Sequence, residues 1–455
     1  MGSIGLAALP VLAVALLLFL VLVVRLHAFL ALLVTSLAVA VAGGMPLAEI
    51  AGSIQDSMGR SLGYIAVVIG VGAMFGELLR RSGGAAAIAH ALLRTFGDKR
   101  APAALGLTGL VVAIPVFFDV AFILFVPLLY SLTKKSGRPL LDFAIPLLAG
   151  LAVAHSFIPP TPGPVAVAGL LGADLGWVIV FGLACGLPAL AVGGLWLGPR
   201  IARRIPHGVP EEMHLEVSEA AAGQTTGEPA EGGAGFGRSL ALIALPLILI
   251  LSATVTRVIL PEGDRVRDLL SFFGHPFTAL TLATLAAFYF LGRRCGFSPK
   301  EIQAMASKSL EPVGLILLVT GAGGVLGKTL VAVGVGEAVA GWLSSSRLPL
   351  VLLAFVLAAV VRVAQGSATV SMVTAAGLVA PVIEAAPVPA PMLGAVTIAI
   401  ASGATVLSHF NDSGFWLVSR YLGLSEQETL RSWTVMATLV GVTGLVMASI
   451  LSMVL

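Results

Sequence analysis

Long apolar runs, most near twenty residues, alternate with short polar connections along almost the whole chain. Runs of that length cross hydrocarbon as helices, whereas a barrel strand needs about ten residues of alternating character. The pattern predicts helices over 4–24, 28–42 and 61–79, with 43–60 as a polar connection carrying Glu49 and Asp56. Residues 84–96 read as a short amphipathic helix along the surface. Further helices are expected over 175–197, 239–260, 276–291, 312–333 and 433–455. The first basic residue, Arg25, follows the first apolar run, so that run reads as a transmembrane helix rather than a cleaved leader.

Four other runs are interrupted. Residues 101–132 break at Ile114-Pro115-Val116-Phe117-Phe118-Asp119, and the run from 141 breaks at 155–164. That second break holds Pro159, Pro160, Pro162 and Pro164, which no continuous helix accommodates. Residues 348–381 break at 362–369, and 391–422 break at Ser408-His409-Phe410-Asn411-Asp412-Ser413. Polar groups at membrane depth cost several kcal/mol unless they are paired or line a cavity. Ser408, His409, Asn411, Asp412 and Ser413 therefore mark a place with a purpose.

Composition sharpens the class. The chain has 455 residues, 58% hydrophobic and 11% charged, with a mean hydropathy of +1.04. Soluble domains carry about 25% charged residues. The expected fold class is an all-α polytopic membrane protein with the lipid bilayer as solvent. Net charge is +3, with the cations at the ends of apolar runs, which sets topology and argues against nucleic-acid binding. Cys185 lies in an apolar run and Cys295 at a helix end, so a disulfide between them is not expected.

The charges also order the chain in space. Residues 206–238 form the one long polar segment, rich in Glu, Gly, Ala and Thr, dividing a first half (1–205) from a second (239–455). Arg25 and Arg80-Arg81 place the N-terminus outside. The break at 114–119 has cations on both flanks, among them Arg94, Lys99, Lys134 and Lys135, which suits a re-entrant hairpin from the inside. The break at 362–369 has Arg347 before it and no further cation until Arg420, which suits a hairpin from the outside. The count becomes about ten crossings plus two re-entrant hairpins, both termini outside, in two inverted repeats joined by a cytoplasmic linker. Broken helices meeting at the midplane of inverted repeats are a secondary-transporter signature.

A half-helix N-terminus carries partial positive charge and free N–H groups, which suits an anion. Gln365, Ser367, Thr369, Ser408, Asn411 and Ser413 add the hydroxyls and amides that a polyhydroxylated acid needs. Arg362 reads either as a carboxylate ligand or as a structural partner of an Asp. Asp119 reads as a proton site or as a cap of its hairpin tip, and His155 and His409 as proton sites or packing residues. Asp412 joins them as a proton-coupling candidate. Phe117 and Phe118 read as packing of the tip.

The same breaks carry a family likeness. Residues 114–119 (IPVFFD), 155–164 (HSFIPPTPGP), 362–374 (RVAQGSATVSMVT) and 408–416 (SHFNDSGFW) resemble the gluconate permease family, within the ion transporter superfamily of secondary carriers. The resemblance implies uptake of gluconate or a related sugar acid with protons across the bacterial inner membrane. It also implies a homodimer whose transport domain moves like an elevator against a static scaffold. It places Phe118, Asp119, His155, Ser156, Thr161, Gln365, Ser367, Thr369 and residues 408–413 in the site. Sodium-coupled dicarboxylate carriers of the superfamily have Ser-Asn-Thr at the hairpin tips; this chain has no such triplet, which favours protons over sodium, and no cofactor is implied. Other relatives carry D-serine, fructuronate or glycerate-like acids, so these stay open as cargo. An intramembrane enzyme is disfavoured, since no His-Glu-x-x-His or comparable spacing occurs. A channel is disfavoured because closed hairpins fit alternating access better than an open pore.

Overall fold

The computed structural model describes residues 3–210, 234–335, 348–385 and 388–455. Most of the expected linker, together with Arg347, lies outside the described residues. Every regular element among the described residues is helical. In the first half these are α1 (Ser3–Leu22), α2 (Ala28–Ala42), α3 (Leu47–Arg81), α4 (Gly84–Phe96), α5 (Ala101–Val112), α6 (Phe118–Ser136), α7 (Leu140–Phe157), α8 (Pro162–Leu171), α9 (Leu175–Leu190) and α10 (Gly198–Arg204). The second half adds α11 (Phe236–Ile259), α12 (Arg265–Phe273), α13 (Pro276–Ala287), α14 (Pro299–Ser309), α15 (Val313–Ala332), α16 (Leu350–Gln365), α17 (Ala368–Ala385), α18 (Ala390–Gly403), α19 (Ser413–Leu422), α20 (Glu426–Thr429) and α21 (Val435–Val454).

By length and composition, seven helices among the described residues suffice to cross a membrane, or eight if the pair bent by 59° at residues 274–275 is one span. Four shorter apolar helices accompany them, including α2, α16 and α18. The protein is an all-helical, multi-span membrane protein.

One expectation needs correcting. Residues 47–60 are not a connection but the first turns of α3, which runs 35 residues, about 52 Å at 1.5 Å per residue. Pro46 sits at the N-cap and no later proline interrupts the segment, while Glu49 in the first turn complements the helix dipole. The polar residues lie on the open face, and Ile50 and Ser57 turn inward. Helix α14, not expected from the hydrophobic pattern, begins with a capping box. Ser298 Oγ accepts from the Glu301 amide at 3.3 Å, and the Glu301 carboxylate accepts from the Ser298 amide at 2.7 Å.

All four interruptions are real. The α5–α6 pair turns at 113–117, and α7 and α8 are parted at 158–161, where the Pro159–Pro160 bond is cis. The α16–α17 pair turns at Gly366 and Ser367, and α18 and α19 are parted by 404–412. Packing repeats across the halves. Helix α5 rests on α7 as α16 rests on α18. The second arm α6 reaches α19 of the other half, as α17 reaches α8. Helices α7 and α8 are buried almost throughout, so the first broken helix lies at the centre of the molecule. Helices α3 and α15 pack together and against α8. The tip of the first pair sits so close to α3 that a Cβ on Gly76 would stand 1.8 Å from the Pro115 carbonyl oxygen.

Candidate functional site

The breaks surround one cavity of about 310 Å³, at the small end of the range for ligand pockets. It is lined by the first turn of α6 (Phe118, Asp119, Val120), of α17 (Ser367, Ala368, Thr369) and of α19 (Asp412, Ser413, Gly414). His155 and Ser156, from the last turn of α7, form another wall. Three helix N-termini thus face one space. Their aligned peptide dipoles, with the amides that the caps leave free, make it attractive to an anion.

The sequence motifs explain these starts. Phe117 has extended backbone before α6, as Thr161 has before α8. Ser367 caps α17, its Oγ accepting from the Val370 amide at 3.3 Å. Asp412 caps α19, accepting from the Gly414 amide at 3.0 Å. A short polar side chain ahead of a helix satisfies the first free amides and fixes where the helix begins.

Asp412 is also the hub of a buried network. Its carboxylate pairs with Arg362 and accepts from Ser408 Oγ. Arg362 in turn donates to the carbonyl of Gly366. Of the two readings of Arg362, the structure shows the partnership with an Asp, while the residue still lines the cavity. Trp433 Nε1 donates to Ser408 Oγ at 2.6 Å, and Thr434 donates to the Ser408 carbonyl. The ring of Trp433 stands 5.3 Å from that of Phe118, which lies 6.3 Å from His155. An aromatic wall thereby joins the first hairpin tip to both broken helices.

Asp119 differs from Asp412. It stands exposed to the cavity in the first turn of α6, and among the described residues it makes no hydrogen bond or ion pair. His155 is largely enclosed, and its Nδ1 has no partner among the described residues.

Five expected site residues do not line the cavity. Thr161 is buried and its Oγ1 donates to the Ile158 carbonyl at 2.6 Å, which closes the turn between α7 and α8. Ser408 stands behind Asp412 and orients it. His409 Nε2 lies 3.1 Å from the Val363 carbonyl, and Asn411 Nδ2 donates to the same oxygen at 2.8 Å and to that of Ala364 at 3.3 Å. These two side chains occupy the free carbonyls at the end of α16 and clamp one break onto the other. The amide of Gln365 is buried beneath the tip without a partner among the described residues. Gly366 makes the close approach possible: its φ is +78°, and a Cβ there would stand 2.0 Å from the Asn411 carbonyl oxygen.

Trp433, Thr405, Phe117 and Pro312 line the cavity but were not foreseen as site residues. Trp433 lies in the π-helical turn Leu430–Thr434 that leads into α21, and a Trp near a helix end beside Arg431 reads from sequence as a membrane-interface anchor.

An all-helical membrane protein whose paired broken helices enclose a polar cavity has the architecture of a solute carrier. The chain belongs to the GntP permease family, whose model matches residues 6–454. It is a membrane transporter, not an enzyme. It is 42% identical over 438 residues to the low-affinity gluconate transporter of Escherichia coli, covering 96% of each chain. It is 39% identical to the gluconate permease of Pseudomonas aeruginosa, over 95% of this chain and 94% of that one. The crystal structure of the YdaH transporter of Alcanivorax borkumensis is similar in fold, with a TM-score of 0.56 at 16% identity, covering 87% of this chain and 86% of that one.

Proposed function

We propose that the protein imports gluconate or a closely related sugar acid with protons across the bacterial inner membrane. The observation that carries this reading is the convergence on a single cavity of three helix N-termini and one carboxylate without a partner among the described residues. The dipoles attract the substrate carboxylate. The hydroxyls of Ser156, Ser367, Thr369 and Ser413 offer partners for a polyhydroxylated chain. The names of the relatives point to gluconate.

Asp119 is the preferred proton carrier in this reading. It faces the cavity and has no competing partner among the described residues. His155, which also lines the cavity, is the second candidate. Asp412 is held by Arg362, Ser408 and the α19 amide, so its part is to fix the site. His409 faces a backbone carbonyl and acts as a clamp.

The recurring packing of α5–α6 on α7 and of α16–α17 on α18 supports two inverted repeats, each with one re-entrant hairpin. The cations at Arg80-Arg81, Arg203-Arg204 and Arg293-Arg294 support an orientation with those helix ends in the cytoplasm and both termini outside. The hairpins and broken helices form the moving body, α3 and α15 belong to the scaffold, and two copies make the working dimer.

Thermal unfolding of the detergent-solubilised protein across a panel of sugar acids tests the cargo. A ligand that binds only the folded state, at a hundred times its Kd, adds about 2.7 kcal/mol of stability. Gluconate or a near relative is expected to raise Tm; a rise with D-serine and with no sugar acid would overturn the assignment.

A further inference from the structure

A second cavity, of about 360 Å³, lies beside the first between the end of α3, the tip of the α5–α6 pair and the α14–α15 junction. The two cavities share Phe117, Val120 and Pro312 as common wall. Its charged lining consists of Arg80, Arg81 and Lys308 against Glu77 and Glu311, so cations outnumber carboxylates. Glu77 is already saturated. Arg80 grips it through Nε at 2.9 Å and Nη2 at 2.6 Å, and Arg81 Nε donates to it at 3.1 Å. Two guanidinium groups therefore share one carboxylate. Lys308 is exposed on the last turn of α14, and its ammonium group makes no hydrogen bond or ion pair among the described residues. The side chains of Arg80 and Glu77 are each only 15% exposed, where screening is weaker than at the open surface.

We propose that this cavity is a vestibular anion subsite on the release path. A carboxylate leaving the central cavity passes Phe117, Val120 and Pro312 and is received by Arg81 and Lys308 before it enters solution. The inference rests on the reading that the cargo is a carboxylate. The lining keeps a net positive charge, three cations against two carboxylates, and an excess of one sign in a cleft raises the local concentration of an oppositely charged solute. The subsite lowers the barrier to release by giving the anion a partner between the helix N-termini of the site and bulk water. It also explains why Glu77 holds Arg80 and Arg81 in place: without it, the two cations would repel and splay.

The test reads the field of the vestibule directly. In protein with Cys185→Ala and Cys295→Ser, Ser309→Cys is labelled with a negatively and a positively charged methanethiosulfonate, and Ile123→Cys serves as a second reporter. Both positions line the cavity. The proposal expects several-fold faster labelling by the anionic reagent, loss of that preference on Lys308→Gln, its return on Lys308→Arg, and slower labelling when gluconate is added. Protection by another carboxylate but not by any sugar acid sustains the subsite and refutes the cargo assigned above. Equal labelling by both reagents at both positions, or no protection by any carboxylate, overturns the subsite even where gluconate uptake is normal.

Discussion

Arg362, in the last turn of α16, and Asp412, capping α19, form a buried ion pair that joins the tip of one hairpin to the break in the neighbouring helix. The pair spans fifty residues of sequence and converts two separate helix interruptions into one unit. Removing one partner of a buried pair leaves an uncompensated charge and costs about 3–5 kcal/mol. Arg362→Gln and Asp412→Asn are each expected to lower Tm markedly, and the double variant to lose much less than the sum. Independent, additive losses in a double-mutant cycle would show that the pair is not coupled.

Asp119 predicts the opposite behaviour. It has no partner among the described residues and is exposed in the cavity, so Asp119→Asn should leave Tm nearly unchanged. The same variant should abolish accumulation driven by a pH gradient while sparing counterflow exchange of substrate. Intact pH-driven accumulation in Asp119→Asn would remove Asp119 as the proton carrier.

Gly366 tests the fit between the two breaks. An added methyl group meets both the strain of positive φ and the Asn411 carbonyl oxygen. The conformational strain alone is about 1–2 kcal/mol, and the clash adds to it. Gly366→Ala is expected to lower Tm and to raise the concentration for half-maximal uptake, whereas Gly314→Ala, where a Cβ meets nothing within 4 Å, should be neutral. Equal effects of the two would contradict the close approach.

Trp433→Phe keeps the aromatic wall beside Phe118 and deletes only the donor to Ser408 Oγ. Loss of one buried hydrogen bond costs about 1–3 kcal/mol. Binding measured by thermal shift should weaken several-fold, and Ser408→Ala should add little to it. Full additivity would mean that the two side chains act separately.

The four breaks were legible because each sets helix-breaking or ionisable residues inside an apolar run, and that signal is local. Pro115, Pro159, Pro160, Gly366 and residues 408–412 fall within interruptions, and Pro162, Pro164 and Ser413 open the helices that follow them. What stayed hidden depends on distant partners. Nothing near His409 or Asn411 in sequence says that they turn toward Val363 and Ala364 instead of the cavity. Trp433, just before α21, reaches the site through its bond to Ser408, while α21 packs against α18. The polar start of α3 misleads for a different reason: polarity in a membrane protein marks exposure to water as readily as loss of helix.

The central claim is that the cavity between the breaks carries a sugar acid with protons, and reconstituted transport tests it most directly. Purified protein in proteoliposomes is given labelled gluconate with the side corresponding to the outside acidic. One-for-one coupling of a proton to a monocarboxylate supplies about 1.4 kcal/mol, or about tenfold accumulation, per unit of pH difference. The account predicts concentrative uptake that rises with the gradient and collapses when a protonophore dissipates it. Uptake that is absent at every gradient, or that proceeds equally with the gradient dissipated, would contradict it.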